Sequence, residues 1–188
     1  MRSILEIKNY LKRKDFSDIN IENTIEKLKK EGYLNEEIFI KAYIQDQYNL
    51  TNNGPLKIKN GLIKLGISED KINIDLDFNE KINKLIEKKV KQNHKLNTYE
   101  LKMNITNYLI RLGYSKDSFE EYLDNIEVDD SALIKKEYDK LYSKYKTKYK
   151  EKKLMYYLRD RLYKKGYSID LINEIINEED LWSYIIIH

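Results

Sequence analysis

The sequence predicts an all-α fold of tandem three-helix repeats that form a thin, elongated array. The first observation is a six-residue phrase that recurs about every 50 residues, at 65–70, 112–117 and 165–170, a period typical of repeat proteins. The second is a composition with one proline and six glycines, which permits long helices and argues against an all-β fold. The third is a 36% content of charged residues, which suits a thin body better than a deep core.

Each copy of the phrase has the pattern of a helix end, a corner and a helix start. Its glycine suits the left-handed residue that ends a helix. The serine two positions later can cap the next helix, and the aspartate two beyond it places negative charge in that helix's first turn. The glycines are Gly66, Gly113 and Gly166, and the serines are Ser68, Ser115 and Ser168. A degenerate copy without glycine covers 15–17, so we expect the sequence to open partway through a repeat that lacks its leading helix.

Apolar positions eight and four residues before each glycine share one helix face, and we expect them to point inward. They are Ile58 and Leu62, Ile105 and Leu109, and Leu158 and Leu162.

The helices follow from these corners and from Gly54-Pro55, where proline takes the first helical position. An incomplete opening repeat, 1–34, has helices at 2–14 and 18–31. Three triplets follow: 35–50, 55–65 and 68–77 within 35–78; 80–94, 98–112 and 115–125 within 79–127; and 131–149, 151–165 and 168–178 within 128–188. A tail with Trp182 and three isoleucines, 181–187, is expected to fold back on the last repeat.

Several classes of protein are excluded by what the sequence lacks. Without cysteine it has neither disulfides nor thiol chemistry, which fits a reducing interior. No apolar run of about 18 residues and no signal peptide is visible, so we expect a cytoplasmic protein that spans no membrane.

No catalytic centre is visible either, and we expect no enzyme activity, cofactor or metal. His94 and His188 stand alone, and no glycine-rich phosphate loop is present. The acidic pairs Asp75/Asp77 and Asp129/Asp130 are interpreted as solvated acids at helix ends.

Charge follows the repeat, because the middle helix of each triplet is basic and the third is acidic. Helix dipoles draw acids to helix starts and bases to helix ends, so part of this segregation needs no function. The dipole explains residues 135–165 less well, because 13 bases against four acids run through two whole helices there. This segment favours a surface that faces a polyanion.

Tyr138, Tyr142, Tyr145 and Tyr149 recur at spacings of one helix face, interleaved with lysines. As a binding surface they offer base stacking together with phosphate contacts. As structure they are the buried face of an amphipathic helix with hydroxyls at its rim, and this second interpretation is favoured.

The segment from Gly32 to Ile67 resembles the RecX family, small bacterial regulators of the RecA recombinase. The resemblance rests on Gly32-Tyr33-Leu34-Asn35-Glu36-Glu37-Ile38-Phe39, then Gly54-Pro55 before a basic helix, then Leu62-Ile63-Lys64-Leu65-Gly66-Ile67. Asn35 stands where the family commonly has aspartate, and lysine largely replaces arginine in the basic helices. The motif residues interpreted as structural are Gly32, Tyr33, Leu34, Phe39, Gly54, Pro55, Leu62, Gly66 and Ile67.

The resemblance implies an elongated, curved helical array without enzymatic activity. It implies binding to the RecA filament on single-stranded DNA, with DNA contacted directly or through the filament, and restraint of the recombinase, ATPase and repressor-cleavage activities in DNA repair and the SOS response. We expect a monomer whose bases, mostly from the middle helices, face the filament or DNA: Lys57, Lys59, Lys64, Lys102, Arg111, Lys152, Lys153, Arg159, Arg161 and Lys164.

Two alternatives remain open. The protein is a nucleic-acid-binding protein that grips DNA through 135–165 without a partner, or a helical scaffold that binds an acidic protein. Salt-sensitive DNA binding without the recombinase favours the first alternative over the RecX function.

Overall fold

The computed structural model describes residues 2–177, apart from the side chain of Glu151, and this range is helical without strands. The all-α class is therefore confirmed. The α-helices are α1 (Ile4–Lys12), α2 (Asp18–Lys30), α3 (Glu36–Leu50), α4 (Pro55–Lys64), α5 (Asn79–Lys91), α6 (Thr98–Leu112), α7 (Glu120–Asp124), α8 (Ser131–Tyr145), α9 (Glu151–Lys164) and α10 (169–177). Short 3-10 turns cover Glu69–Lys71 and Lys116–Ser118. The tail at 181–187 lies outside the described residues, as does His188.

The chain packs as two compact units. Among the described residues, the first unit takes 2–82 together with Tyr108–Phe119, and the second takes Asn83–Asn107 and 120–177. Within the first unit α1 packs on α2 and α3 on α4, and within the second α8 packs on α9. The repeat boundaries at 34, 78 and 127 stay a prediction. No helix within 2–177 has the length and apolarity needed to cross a bilayer.

The predicted inward face of the middle helices is confirmed. All six of its side chains have 0% exposure: Ile58, Leu62, Ile105, Leu109, Leu158 and Leu162. In the second unit Leu158 and Leu162 belong to a core cluster that also takes Ile134 and Tyr138 from α8 and Ile172 from the residues of α10. The spacing of four within one helix puts each pair on one face, and burial of that face holds the neighbouring helices together.

The predicted left-handed corners are also confirmed, with φ angles of +84° at Gly66, +89° at Gly113 and +88° at Gly166. The degenerate copy keeps the same backbone without glycine, since Asp15 has a φ of 61°. Aspartate enters this region more readily than most residues because its short polar side chain bonds locally.

The corners also receive a neighbouring helix. Gly54, the N-cap of α4, donates its N–H to the Leu112 carbonyl over 2.7 Å, and Leu56 donates to the Gly113 carbonyl over 3.0 Å. The carbonyls of the last residue of α6 and of the glycine after it therefore satisfy free N–H groups at the start of α4. A Cβ on Gly113 would lie 2.5 Å from the backbone nitrogen of Lys57. The contact thus requires glycine twice over, for its backbone angle and for its lack of a side chain.

The same arrangement recurs at the other two corners. A Cβ on Gly66 would lie 3.0 Å from Cβ of Leu5 in the first turn of α1, and one on Gly166 would lie 2.4 Å from Tyr99 in the first turn of α6. Beside Gly166, the buried Asn97 side chain accepts the N–H of Glu100 and donates to the Lys165 carbonyl over 3.0 Å. Helix α1 therefore starts against the corner that follows α4. In the same way α4 starts against the corner after α6, and α6 starts against the corner after α9.

The predicted helix at 68–77 is wrong. A single 3-10 turn, Glu69–Lys71, leads into an extended segment that reaches Phe78. Its side chains alternate between half-buried (Ile72, Ile74, Leu76) and exposed, which is the period of two that extended backbone produces. Ser68 followed by Glu69 and Asp70 resembles the start of a helix. The apolar residues after it recur every two positions, however, and this spacing favours extended backbone over a helix.

The predicted helix at 115–125 is present only in part, as the turn Lys116–Ser118 and the short α7. Two of the three predicted serine caps are accordingly wrong. Ser68 and Ser115 make no capping bond, because a 3-10 turn follows each of them. Ser168 does cap α10, accepting the Leu171 N–H over 3.3 Å.

Tyr114 follows the Gly113 corner and is only 2% exposed, with its ring edge against Phe78. Its hydroxyl has no hydrogen-bond partner among the described residues. Burial, with smaller contributions from Tyr108 and Tyr48, raises the pKa of Tyr114 from 10.0 to about 12. The folded state therefore favours the protonated phenol.

We expect Tyr114→Phe to raise the free energy of unfolding at neutral pH by about 1 kcal/mol, because it removes a buried hydroxyl that bonds no described group. Because the folded pKa of Tyr114 is raised, its titration leaves the free energy of unfolding unchanged below pH 10 and lowers it as pH rises from 10 toward 12. The parent should therefore lose up to about 1.4 kcal/mol per pH unit more than the variant between these values. Urea unfolding of both proteins from pH 7 to pH 11 measures this, and parallel pH curves would contradict the buried phenol.

Candidate functional site

The exposed face of α9 alternates bases with aromatic rings. Because Leu158 and its neighbours on one face are buried, the opposite side of the helix is left to solvent. Lys152 and Arg159 are exposed on that side, and Tyr156 and Tyr163 beside them are 77% and 61% exposed. Lys152 and Arg159 were predicted from the sequence as binding bases. The two tyrosines were not, although their spacing of seven, off the leucine face, was the available signal.

The tyrosines of α8, and Tyr149 in the turn after it, are mainly structural, as the favoured interpretation has it. Tyr138 is 3% exposed, Tyr142 stacks on it at 5.9 Å between ring centroids, and Tyr145 and Tyr149 pack against the core cluster. Tyr157 of α9 adds a ring that lies 4.6 Å from Tyr145 and 5.0 Å from Tyr149. We call Tyr145, Tyr149 and Tyr157 the tyrosine cluster.

Four cations lie over the rings of the tyrosine cluster. Their distances to the ring centroids are 5.2 Å for Lys144, 5.7 Å for Lys148, 5.5 Å for Lys153 and 4.9 Å for Arg161. None of the four forms an ion pair with a carboxylate whose position the structure describes. The rings attract the cations through their negative faces, which holds positive charge together without neutralising it.

The hydroxyls of the tyrosine cluster are polarised by the same surroundings. The adjoining hydroxyls of Tyr145 and Tyr157 act on each other, which lowers the pKa of Tyr145 and raises that of Tyr157. Lys144 lowers the pKa of Tyr145 further. The end of the α8–α9 hairpin is therefore a strongly positive surface, suited to phosphate or carboxylate groups.

Other predicted bases are engaged within the molecule. Lys59 pairs with Glu69 over 2.6 Å, Lys164 pairs with Asp160 over 2.8 Å, and Lys102 donates to the Asp124 carbonyl over 3.2 Å. Lys71 pairs likewise with Glu36 over 2.6 Å. Part of the charge segregation therefore reflects contacts within the protein. For these bases no binding function is needed to explain the pattern.

The remaining predicted bases are exposed. Lys57, Lys64, Lys152 and Arg159 have no side-chain partner in the part of the chain that the structure describes, and Arg111 is exposed as well. Whether any of the ten predicted bases contacts a partner stays a prediction. Within 2–177 no group of three or more His, Asp or Glu side chains could hold a metal ion.

The motif residues around the first corners lie where helix ends meet. Phe39, Leu62 and Ile67 are buried, and Pro55 is the first residue of α4. Gly32 has a φ of +79° with open space around it, and Leu34 is half-buried. Tyr33 is 77% exposed because it leaves the Gly32 corner toward solvent, so its side chain adds no packing.

Comparison with known proteins gives one consistent group of relatives. The chain is 28% identical over 189 residues to "Regulatory protein RecX" of Halalkalibacterium halodurans, covering 95% of this chain and 71% of that protein. It is 31% identical to the protein of the same name from Bacillus subtilis, over 96% of this chain and 72% of the relative, and 32% identical to that of Bacillus cytotoxicus, over 92% and 67%.

A crystal structure of regulatory protein RecX shares the fold, with a TM-score of 0.60, 23% identity and 66% of each chain covered. No family model matches the chain. The identity to the two Bacillus proteins, over more than 90% of this chain and two thirds or more of each relative, shows the family. This chain belongs to the RecX family of regulatory proteins.

Proposed function

We propose that this protein is a non-enzymatic, cytoplasmic regulator that binds the RecA recombinase filament on single-stranded DNA and restrains its recombinase, ATPase and coprotease activities. Membership of the RecX family supports regulation as its role. The observation that supports the filament as its target is the positive α8–α9 surface. There Lys152 and Arg159 have no partner among the described side chains, and four further cations lie over the tyrosine cluster.

Physical chemistry supports a nucleoprotein target for this surface. Bases that are not neutralised within the protein release counterions when they meet a polyanion, which favours binding at low salt. The exposed rings of Tyr156 and Tyr163 add area that a protein or a stacked base can cover. A filament offers both a protein surface and DNA.

The DNA-dependent ATPase rate of RecA tests the proposal. We expect this protein, added at substoichiometric amounts to filaments on single-stranded DNA, to lower that rate. The same series repeated at a salt concentration that abolishes binding to DNA alone should still show inhibition. An unchanged rate at every ratio of the two proteins would contradict the proposed function.

A second candidate is stand-alone binding of nucleic acid through residues 135–165. The tyrosine cluster favours it, because its four cations face no described carboxylate. In that case single-stranded DNA is bound without the recombinase, the affinity falls steeply with salt, and the ATPase rate drops only where free DNA is sequestered.

A further inference from the structure

The three complete middle helices share a feature that their bases do not explain. Each carries two large apolar side chains, two residues before and five residues after the same buried position, which is Ile58 in α4, Ile105 in α6 and Leu158 in α9. These outer pairs are Leu56 and Ile63, Met103 and Ile110, and Tyr156 and Tyr163. Seven residues of helix separate the members of each pair by about 10 Å along one face.

All six side chains are exposed. Leu56 is 50% and Ile63 40% exposed, Met103 46% and Ile110 50%, and Tyr156 77% and Tyr163 61%. Single exposed apolar residues are ordinary on a protein surface and need no explanation. The outer pairs differ from such single residues, because both members are exposed at the same two positions in three helices. Each helix thus leaves apolar area in water where a polar residue would fit equally well.

The surroundings of the outer pairs indicate what covers them. Helix α4 has three lysines and no acid of its own, of which Lys57 and Lys64 are left after the pair of Lys59 with Glu69, and α9 has five bases and two acids. A second copy of this chain would bring two positive faces together, which is unfavourable. A nucleic acid satisfies the bases but not the pairs in α4 and α6, since aliphatic side chains offer no ring on which a base stacks.

A protein surface can match both the apolar outer pairs and the positive charge beside them. Apolar depressions rimmed by carboxylates would cover the outer pairs and neutralise the bases beside them. Aromatic side chains such as those of the α9 pair are enriched among the residues that dominate protein interfaces.

We propose that the outer pairs are the contacts of this protein with the protein component of the recombinase filament, and that the neighbouring bases steer the approach. The proposal rests on the proposed function and specifies its partner as an acidic, apolar protein surface rather than the DNA. Apolar contacts then set the lifetime of the complex, whereas the charges set its salt dependence.

The test compares double glutamine variants, because glutamine keeps the helix and removes only apolar area. Leu56→Gln with Ile63→Gln alters α4, and Tyr156→Gln with Tyr163→Gln alters α9. The matched control is Ile38→Gln with Leu50→Gln in α3, where the side chains are 50% and 80% exposed but form no outer pair. Circular dichroism melting checks that each variant folds like the parent.

Labelled protein is titrated with RecA filaments on single-stranded DNA, and separately with the DNA alone, at low and at high salt. We expect each outer-pair variant to bind filaments about tenfold more weakly or worse, at both salt concentrations, with DNA binding and the control unchanged. Three results would overturn the inference: parental filament affinity, an equal loss on DNA alone, or a parent that dimerises in sedimentation while the variants do not. A parent that fails to bind filaments overturns it as well.

The proposed function is judged separately, from the effect of the parent on the ATPase rate. A parent that binds filaments through the outer pairs but leaves that rate unchanged would refute the proposed function and leave the contact standing.

Discussion

Replacing Gly113 by valine should lower the free energy of unfolding by about 3–5 kcal/mol. A φ of +89° disfavours any β-branched residue, and the new Cβ would lie 2.5 Å from the nitrogen and Cβ of Lys57. Relief of that overlap separates α4 from the α6 corner and breaks the bonds from Gly54 to Leu112 and from Leu56 to Gly113. The loss therefore combines backbone strain, two hydrogen bonds and the packing of two helix ends.

Gly32 provides the matched control for this prediction. Its φ of +79° is almost the same, but nothing lies within 4 Å of the position that a Cβ would take. Gly32→Val should therefore show backbone strain alone, about 1–2 kcal/mol. Urea unfolding followed by circular dichroism measures the free energy of unfolding of both variants. Equal losses of this free energy would show that contact between the Gly113 corner and α4 contributes nothing to stability.

Reversing the charge of Arg159 and Arg161 together should weaken inhibition of the recombinase by about a hundredfold at low salt, or about tenfold for each charge. Arg159 is exposed without a described partner, and Arg161 lies over the Tyr157 ring at 4.9 Å. The fold should survive, because the change removes one cation–π contact of about 0.5–1 kcal/mol and no buried group. The inhibition of the variant should also depend less on salt.

A second double reversal, Arg13→Glu with Lys14→Glu, changes the net charge equally at two exposed positions beside the Asp15 corner. We expect it to inhibit like the parent when ATPase rates are compared across a salt series. If Arg159→Glu with Arg161→Glu also inhibits like the parent, the positive face of α9 is solvated surface. The acidic segments at Glu69 and Glu120 would then become the candidates for contact with the recombinase.

The corners and the inward face could be predicted from the sequence because both depend on local geometry. A left-handed helix end needs glycine or a substitute such as Asp15, and a spacing of four places Ile58 and Leu62 on one face whatever packs against it. The glycine corners and the apolar spacing of four were enough to predict the all-α class and the order of the middle helices.

The contacts made across the corners could not be predicted, because they join residues far apart in the chain. The overlap of Gly113 with Lys57 and the capping of α4 by Leu112 appear only once the helices are packed. The pairing of Lys59 with Glu69 is closer in sequence but also depends on the fold, because the chain must turn at the Gly66 corner, and it removes one predicted base from the candidate site. Charge patterns identify where bases lie, but only the fold shows which of them an acid already neutralises.

The extended segment between α4 and α5 leaves its own backbone open. The amide groups of residues 73–76 donate to no acceptor within the described part of the chain, whereas the helices on either side bond their own amides. We expect these four amides to exchange hydrogen with water without the helix opening that the amides of α4 and α5 require. Ile72, Ile74 and Leu76 still hold the segment in place by their half-buried side chains. The first unit thus contains a stretch whose half-buried side chains hold it in place while its main-chain amides donate to no described group.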